Sequence, residues 1–153
     1  MKKFLIFTIL FLALAGAVDA GYLLIQTVSG KAVVCPSVPV GRFNLNQCNI
    51  VLATSYAKFL GLPTALYGLG AYLFFAILVL YELTNRRPGA IKLLMYLSGF
   101  GVLISAYFIY LQFFVIEAIC FYCFISASLM TLIFILSIAY NSRYSREIFN
   151  AGV

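Results

Sequence analysis

The sequence predicts an all-α integral membrane protein: a four-transmembrane-helix bundle with a long extracytoplasmic loop between the first two helices. Composition, the length of the apolar runs and the placement of basic residues carry this prediction. Of the 153 residues, 65% are hydrophobic and 9% are charged, and the mean hydropathy is +1.09. Soluble domains are about 45–50% apolar and about 25% charged. A chain this short cannot bury so much apolar surface in a water-soluble core.

The apolar runs are each as long as a membrane span, which takes about 20 helical residues. The connection after the first run contains Pro and Gly residues that favour irregular structure. Its later part, residues 50–60, is amphipathic enough for a short interfacial helix. We expect one membrane domain over 1–153, with spans at about 4–26, 63–83, 90–112 and 119–140, an outer loop at 27–62 and a cytoplasmic tail at 141–153.

The first apolar run has a second interpretation. Lys2, Lys3, the apolar segment and Val18-Asp19-Ala20 together resemble a secretory signal with a small-residue cleavage site. Apolar sequence continues past that site to Ile25, which favours a retained span. Asp19 is the one acidic residue in this span, and intramembrane acids usually face the bundle interior or a polar cavity. A hydrated position near the interface is the alternative.

Basic residues predict the orientation of the bundle. In a four-span chain, seven Lys or Arg residues fall on one side of the membrane and three on the other. Cytoplasmic loops carry the excess of Lys and Arg, so both termini are expected in the cytoplasm of a cell-membrane protein. The seven are Lys2, Lys3, Arg86, Arg87, Lys92, Arg143 and Arg146, and the three are Lys31, Arg42 and Lys58.

The four cysteines form two pairs, Cys35 with Cys48 in the loop and Cys120 with Cys123 at the start of the last span. The predicted orientation places all four on the extracytoplasmic side, where disulfides persist. A thiol of a Cys-x-x-Cys motif at a helix N-terminus has a lowered pKa, and the thiolate is the reactive form. Two pairs on one face favour thiol–disulfide exchange. Two inert disulfides in a structural tetraspan protein are the alternative.

Other residue types narrow the chemistry. The chain has no histidine, which excludes a Ser-His-Asp triad, a Cys-His nucleophile pair and histidine metal ligands. The wide spacing of the loop pair disfavours a four-cysteine zinc site, so no metal is expected. The basic residues form no continuous face, so no nucleic acid partner is expected. Aromatic residues near Cys123, including Phe114 and Tyr122, could line a pocket for a planar quinone or form an ordinary interfacial belt.

Several short motifs follow one another along nearly the whole chain. They are Gly16–Leu24 with Asp19 and Tyr22, then Cys35, then Cys48 followed by Thr54-Ser55, then Gly61-Leu-Pro63, then Cys120-Phe-Tyr-Cys123. This ordered set resembles the vitamin K epoxide reductase family. It is most similar to the prokaryotic members, which act in disulfide bond formation. The loop cysteines stand farther apart than in many members.

The resemblance implies a quinone-dependent thiol–disulfide oxidoreductase. Cys35 would exchange with a separate thioredoxin-like extracytoplasmic protein, because the family's fused thioredoxin-like domain has no counterpart in these residues. Cys48 would pass the exchange to Cys120, and Cys123 would face a quinone of the ubiquinone or menaquinone type. The family's quinone-side hydroxyl maps onto Thr54 by spacing and onto Ser55 by residue identity. The implied quinone contacts are Thr54, Ser55, Tyr122, Phe114 and Asp19.

Overall fold

The computed structural model describes residues 2–36, 39–40, 43–44, 47–85 and 89–150. The helices in these residues are α1 (Lys2–Ser29), α2 (Cys48–Ala53), a 3-10 turn (Ser55–Ala57), α3 (Thr64–Asn85), α4 (Gly89–Phe114) and α5 (Phe121–Asn150). Two-residue strands form two small hairpins, β1 (Pro39–Val40) with β2 (Phe43–Asn44) and β3 (Lys58–Phe59) with β4 (Leu62–Pro63).

Four of these helices contain segments long and apolar enough to cross a membrane: Lys3–Ser29, Thr64–Asn85, Gly89–Phe114 and Phe121–Tyr144. Many of their large apolar side chains point outward, as Phe11, Tyr96 and Leu103 do, each about 70% exposed. Lipid can accept such surfaces, and a helix satisfies its own backbone hydrogen bonds there. The predicted four-helix membrane fold is therefore confirmed. The last helix runs on to Asn150, beyond the predicted end of the span at residue 140.

The long helices pack in a ring, in which α1 contacts α3 and α5, and α4 contacts the same two helices. Glycine permits one close approach: a methyl group on Gly16 of α1 would overlap the ring of Tyr72 on α3. The hydroxyl of the buried Tyr72 donates to the carbonyl oxygen of Ser126 on α5, at 2.7 Å. We call the buried interior of the ring the bundle core; it comprises Ile6, Ile9, Ala13, Ala17, Ala20, Tyr72, Phe75, Ala76, Val79, Ile91, Leu94, Met130, Ile133 and Tyr140.

The connection between α1 and α3 contains a short helix, as predicted, but α2 spans Cys48–Ala53 instead of residues 50–60, and the 3-10 turn and β3 follow it. The β3–β4 hairpin turns through Leu60 and Gly61, with φ of 52° and 80°. Positive φ at both central residues is the geometry that a two-residue hairpin prefers. The Tyr67 hydroxyl donates to the Phe59 carbonyl at 3.1 Å and ties this hairpin to α3. Arg42, Arg86 and Arg87, which contribute to the predicted charge asymmetry, lie outside the described residues.

A second buried cluster lies at the end of the bundle where this connection and the short α4–α5 turn meet. We call it the cysteine cluster; it comprises Leu23, Val33, Cys35, Cys48, Val51, Ala118 and Cys120. It is distinct from the bundle core, and it draws on α1, both connections and the residue just before α5. The fold therefore brings residues from distant parts of the chain together at one end of the bundle.

Candidate redox site

The two cysteine pairs meet in the cysteine cluster. Cys35, Cys48 and Cys120 are all buried members of it, and Cys123 packs against it as a partly buried residue. The pairs are separated by most of the helical bundle in sequence. Their convergence is therefore a consequence of the topology, and it makes exchange between the pairs geometrically accessible.

The loop pair is joined by a disulfide between Cys35 and Cys48, with Cα atoms 6.5 Å apart. Cys35 is 9% exposed and Cys48 is fully buried, so Cys35 is the more accessible member. The Asn49 side chain holds the irregular segment before Cys35: its Oδ1 accepts from the Val33 N–H at 2.7 Å, and its Nδ2 donates to the Val33 carbonyl at 3.3 Å. A single carboxamide thus satisfies both backbone groups of one loop residue.

The other pair consists of free thiols. Cys120 directly precedes α5, which begins at Phe121, so only Cys123 lies inside the first turn where both cysteines were predicted. The Cys120 N–H donates to Oε1 of the buried Gln112 on α4, at 2.8 Å. The Gln112 carbonyl also accepts from the Ala118 N–H at 3.2 Å. Gln112 therefore closes the turn between α4 and α5 and fixes the backbone of Cys120.

The surroundings of Cys120 favour its thiolate. A hydrogen bond from the Cys123 thiol lowers the pKa of Cys120, and the backbone N–H groups of Cys123 and Tyr122 lower it further. Burial and the negative charge of Asp19 act in the opposite direction, but the net pKa of Cys120 lies below its ordinary value. These donors belong to the first turn of α5, where helix N–H groups have no intrahelical acceptor. The predicted thiolate stabilisation at this helix start therefore has a specific hydrogen-bond basis.

Gln47 connects the two cysteine-bearing segments. Its backbone N–H donates to the Ile119 carbonyl at 3.2 Å, and its side-chain Oε1 accepts from the Ile119 N–H at 3.3 Å. Gln47 directly precedes Cys48, and Ile119 directly precedes Cys120. The reciprocal bonds therefore join the chain next to one cysteine to the chain next to the other.

Tyr122, between the two cysteines of the Cys-x-x-Cys motif, reaches the loop. Its hydroxyl donates to the Val34 carbonyl at 3.1 Å, next to Cys35. Its ring lies 5.2 Å from the ring of Tyr22 on α1, centroid to centroid. Tyr122 thus touches both α1 and the Cys35 segment from the helix that carries Cys123.

The remaining predicted quinone contacts occupy different settings. Oδ2 of Asp19 is buried and, among the described residues, has no hydrogen-bond partner, while the charge of Asp19 acts on Cys120. The Thr54 hydroxyl donates to the Val51 carbonyl at 2.7 Å, and Ser55 begins the 3-10 turn as an exposed residue. Phe114 ends α4, is 71% exposed and stacks on Tyr110. Among these four residues, Asp19 acts on a cysteine through its charge.

Sequence reasoning missed three of the residues that hold the cysteines in place, Gln47, Asn49 and Gln112. Gln112 carried a usable signal, because a polar side chain within an apolar span is usually paired inside the protein. Gln47 and Asn49 flank Cys48, but nothing in the sequence shows that their partners are Ile119 and Val33, which lie 72 and 16 positions away.

The model of the vitamin K epoxide reductase family matches residues 7–138. The match contains all four cysteines, Gln47, Gln112 and most of each long helix. The chain belongs to the vitamin K epoxide reductase family. Among curated proteins, no relative matches the sequence.

Members of the vitamin K epoxide reductase family are quinone-reducing thiol–disulfide oxidoreductases, and this chain is an enzyme of that class with several membrane spans. The family accounts for the arrangement at the loop end, where a disulfide and a dithiol share one buried cluster. The alternative of two inert disulfides is not what family membership implies, because the members exchange disulfides with a quinone as acceptor.

Proposed function

We propose that this enzyme reoxidises a separate thioredoxin-like protein at the extracytoplasmic face and delivers the electrons to a membrane quinone, as the prokaryotic members do in disulfide bond formation. The main observation in support is that Cys35, Cys48 and Cys120 share one buried cluster, with Cys123 packed against it. The loop pair serves as the entry point for electrons, and the Cys-x-x-Cys pair serves as the exit.

The charge asymmetry supports the orientation that this function needs. Seven Lys or Arg residues lie on the side of the termini, against three on the side of the cysteines. Four spans return the chain to the side on which it starts. We therefore propose that both termini are cytoplasmic and that the cysteine cluster lies in the oxidising compartment.

Exposure supports the order of the entry step. A thiolate of the partner attacks Sγ of Cys35, the accessible member of the loop disulfide, and Cys48 leaves as a thiolate. The second thiolate of the partner then attacks the partner's first cysteine in the mixed disulfide, and Cys35 leaves as a thiolate. The partner gains a disulfide, and Cys35 and Cys48 become a dithiol.

The internal step moves the same two electrons to the second pair. The Cys48 thiolate attacks Cys120 in an oxidised Cys120–Cys123 pair and releases Cys123; Cys35 then attacks Cys48 and releases Cys120. The lowered pKa of Cys120 favours the second release, in which Cys120 leaves as a thiolate, because a thiol of low pKa is a better leaving group. This step ends in a loop disulfide beside a reduced Cys-x-x-Cys pair.

The residues around Cys123 fit a quinone. When bound, the quinone supplies a two-electron, two-proton acceptor. The Oδ2 atom of Asp19 is buried without a partner in the part of the chain that the structure describes, which suits a group that alternates between carbonyl and hydroxyl. Closing the Cys120–Cys123 disulfide releases two electrons and two protons, and Asp19 can accept or relay one of those protons. Tyr122 and Tyr22 provide aromatic surface next to this helix.

Cys123, Asp19 and Tyr122 are thus our strongest candidates for contacting the quinone. The Thr54 hydroxyl already donates to the Val51 carbonyl, which leaves its oxygen lone pairs to accept a bond from a quinone hydroxyl. The roles of Thr54, Ser55 and Phe114, and a quinone of the ubiquinone or menaquinone type, stay predictions.

Quinone reduction by the purified enzyme tests the proposal. The assay supplies a reduced thioredoxin-like dithiol protein and a soluble quinone, and it follows quinone absorbance for the wild type and for Cys123→Ala. We expect turnover to be lost in Cys123→Ala and retained in Ser128→Ala, an exposed position farther along α5. Unchanged turnover in Cys123→Ala would refute the role of Cys123 as the exit of the relay.

A further inference from the structure

Gln47 and Ile119 form a two-bond bridge between the cysteine-bearing segments, as described above. Both sides of this bridge are rigid. On one side, the Gln47 carbonyl accepts N–H groups from the first turn of α2, so the bridge continues directly into the helix that begins at Cys48. On the other side, the next backbone N–H after Ile119 is that of Cys120, which Gln112 holds. The bridge therefore joins the two backbone segments that carry these cysteines.

The position of the bridge matters because both cysteines are fully buried. Buried sulfurs cannot find each other by loop diffusion through solvent, so their relative placement depends on the backbones that carry them. In disulfide exchange the attacking thiolate has to approach the sulfur that is attacked, and misplacement of reacting atoms by even ~1 Å can slow a reaction strongly.

We propose that Gln47 is a positioning residue for electron transfer between the two cysteine pairs, in that its side-chain bond to Ile119 holds Cys48 against Cys120. This inference rests on the proposed relay. In the step that it serves, the Cys48–Cys120 bond forms as the Cys120–Cys123 bond breaks, and Cys123 leaves as a thiolate with the electron pair. The step needs no external oxidant or reductant.

The effect of the Gln47–Ile119 bridge can be measured through the stability of the Cys48–Cys120 disulfide. In the full chain with Cys35→Ser and Cys123→Ser, these two cysteines are the only thiols left. Equilibration of this parent protein in glutathione buffers, followed by acid quench, alkylation and mass spectrometry, gives an equilibrium constant for the bond. That constant is the effective concentration of one thiol at the other, and it does not depend on any quinone.

We expect Gln47→Ala to lower this constant by about three- to tenfold, as one lost hydrogen bond would. Gln47→Glu should restore it, because a carboxyl oxygen can accept from the Ile119 N–H in place of the amide oxygen. Gln26→Ala is the matched control: it makes the same substitution at a half-buried position of α1 whose Oε1 has no partner among the described residues. Its constant should equal that of the parent.

A second parent protein distinguishes positioning of Cys48 against Cys120 from a general stabilisation of the loop. With Cys120→Ser and Cys123→Ser, the same titration reports on the Cys35–Cys48 bond, and Gln47→Ala should leave that constant unchanged. A loss of equal size in both backgrounds would overturn the inference, as would a parent-like Cys48–Cys120 constant in Gln47→Ala. If the parent forms no Cys48–Cys120 disulfide at all, the relay order fails and the inference fails with it.

Discussion

The bundle core and the cysteine cluster are stabilised in different ways. The core joins long helices through apolar and small side chains, with the Tyr72–Ser126 hydrogen bond as a polar tie. The cysteine cluster joins loops and helix ends, where Asn49, Gln112 and Gln47 each bind backbone groups of a cysteine or of a residue within two positions of one. Helices in lipid satisfy their own backbone, whereas loops next to hydrocarbon need side-chain partners. Packing therefore builds the scaffold, and directed hydrogen bonds align the redox groups.

This difference predicts that function and stability separate by region. Cys48→Ala should have the largest effect on function, with quinone-linked dithiol oxidation falling to background, because Cys35 alone can form no loop disulfide for the partner to attack. The four long helices should persist, because their packing does not involve Cys48. Turnover assays test the loss of activity, and far-ultraviolet circular dichroism in detergent tests whether the helices persist. Ser142→Ala, exposed near the far end of α5, is the control and should match the wild type in both. Persistent turnover in Cys48→Ala would contradict the relay.

Gln112→Leu should be the most damaging polar substitution in the cysteine cluster. It leaves the Cys120 N–H buried without an acceptor, which costs about 1–3 kcal/mol. Gln112→Glu retains an acceptor oxygen and should recover most of that stability. Denaturant titration in mixed micelles measures the change in free energy of unfolding. Equal stability for the leucine and glutamate variants would show that the hydrogen bond to Cys120 contributes little.

Gly16→Ala tests the bundle core, again through a change in stability. The added methyl group meets the ring of Tyr72, which is buried and hydrogen bonded and so cannot move away easily. Overpacking of this kind costs about 1–3 kcal/mol. Gly70→Ala on α3 is the control, because a methyl group there enters open space. The thermal unfolding midpoint should fall for Gly16→Ala only, and equal midpoints would mean that α1 and α3 repack without cost.

The same contrast explains which features could be read from sequence. The four spans follow from hydropathy and length, because lipid imposes a simple rule on every residue of a span. Convergence of the cysteines follows from counting spans and charges. The start of α5 at Phe121 and the bridge from Gln47 to Ile119 do not follow, because they depend on how two connections fold against each other. Gly16 belongs to one of the family motifs, but its contact with the Tyr72 ring can be recognised only once the pairing of α1 with α3 is known.

The smallest expected effect concerns the charge balance at Cys120. Its pKa is lowered mainly by the Cys123 thiol, whereas the negative charge of Asp19 opposes ionisation. In Cys123→Ala, Cys120 is the single free thiol beside the loop disulfide, and the midpoint of its alkylation rate against pH should lie above that in the wild type. Adding Asp19→Asn should move that midpoint back down, because the substitution removes an unfavourable charge at nearly constant shape.

Glu117→Gln makes the same acid-to-amide change only three positions before Cys120, but at an exposed side chain. Solvent screens charges at the surface much more strongly than charges inside the protein, so this variant should leave the midpoint where it was. Mass spectrometry of alkylated Cys120 gives all these midpoints. If Glu117→Gln and Asp19→Asn shift the midpoint equally, the effect is one of net charge rather than of the half-buried Asp19 carboxylate in particular. If neither shifts it, Asp19 does not act on Cys120. A shift with Asp19→Asn alone assigns the electrostatic effect to the carboxylate that we propose as a quinone contact.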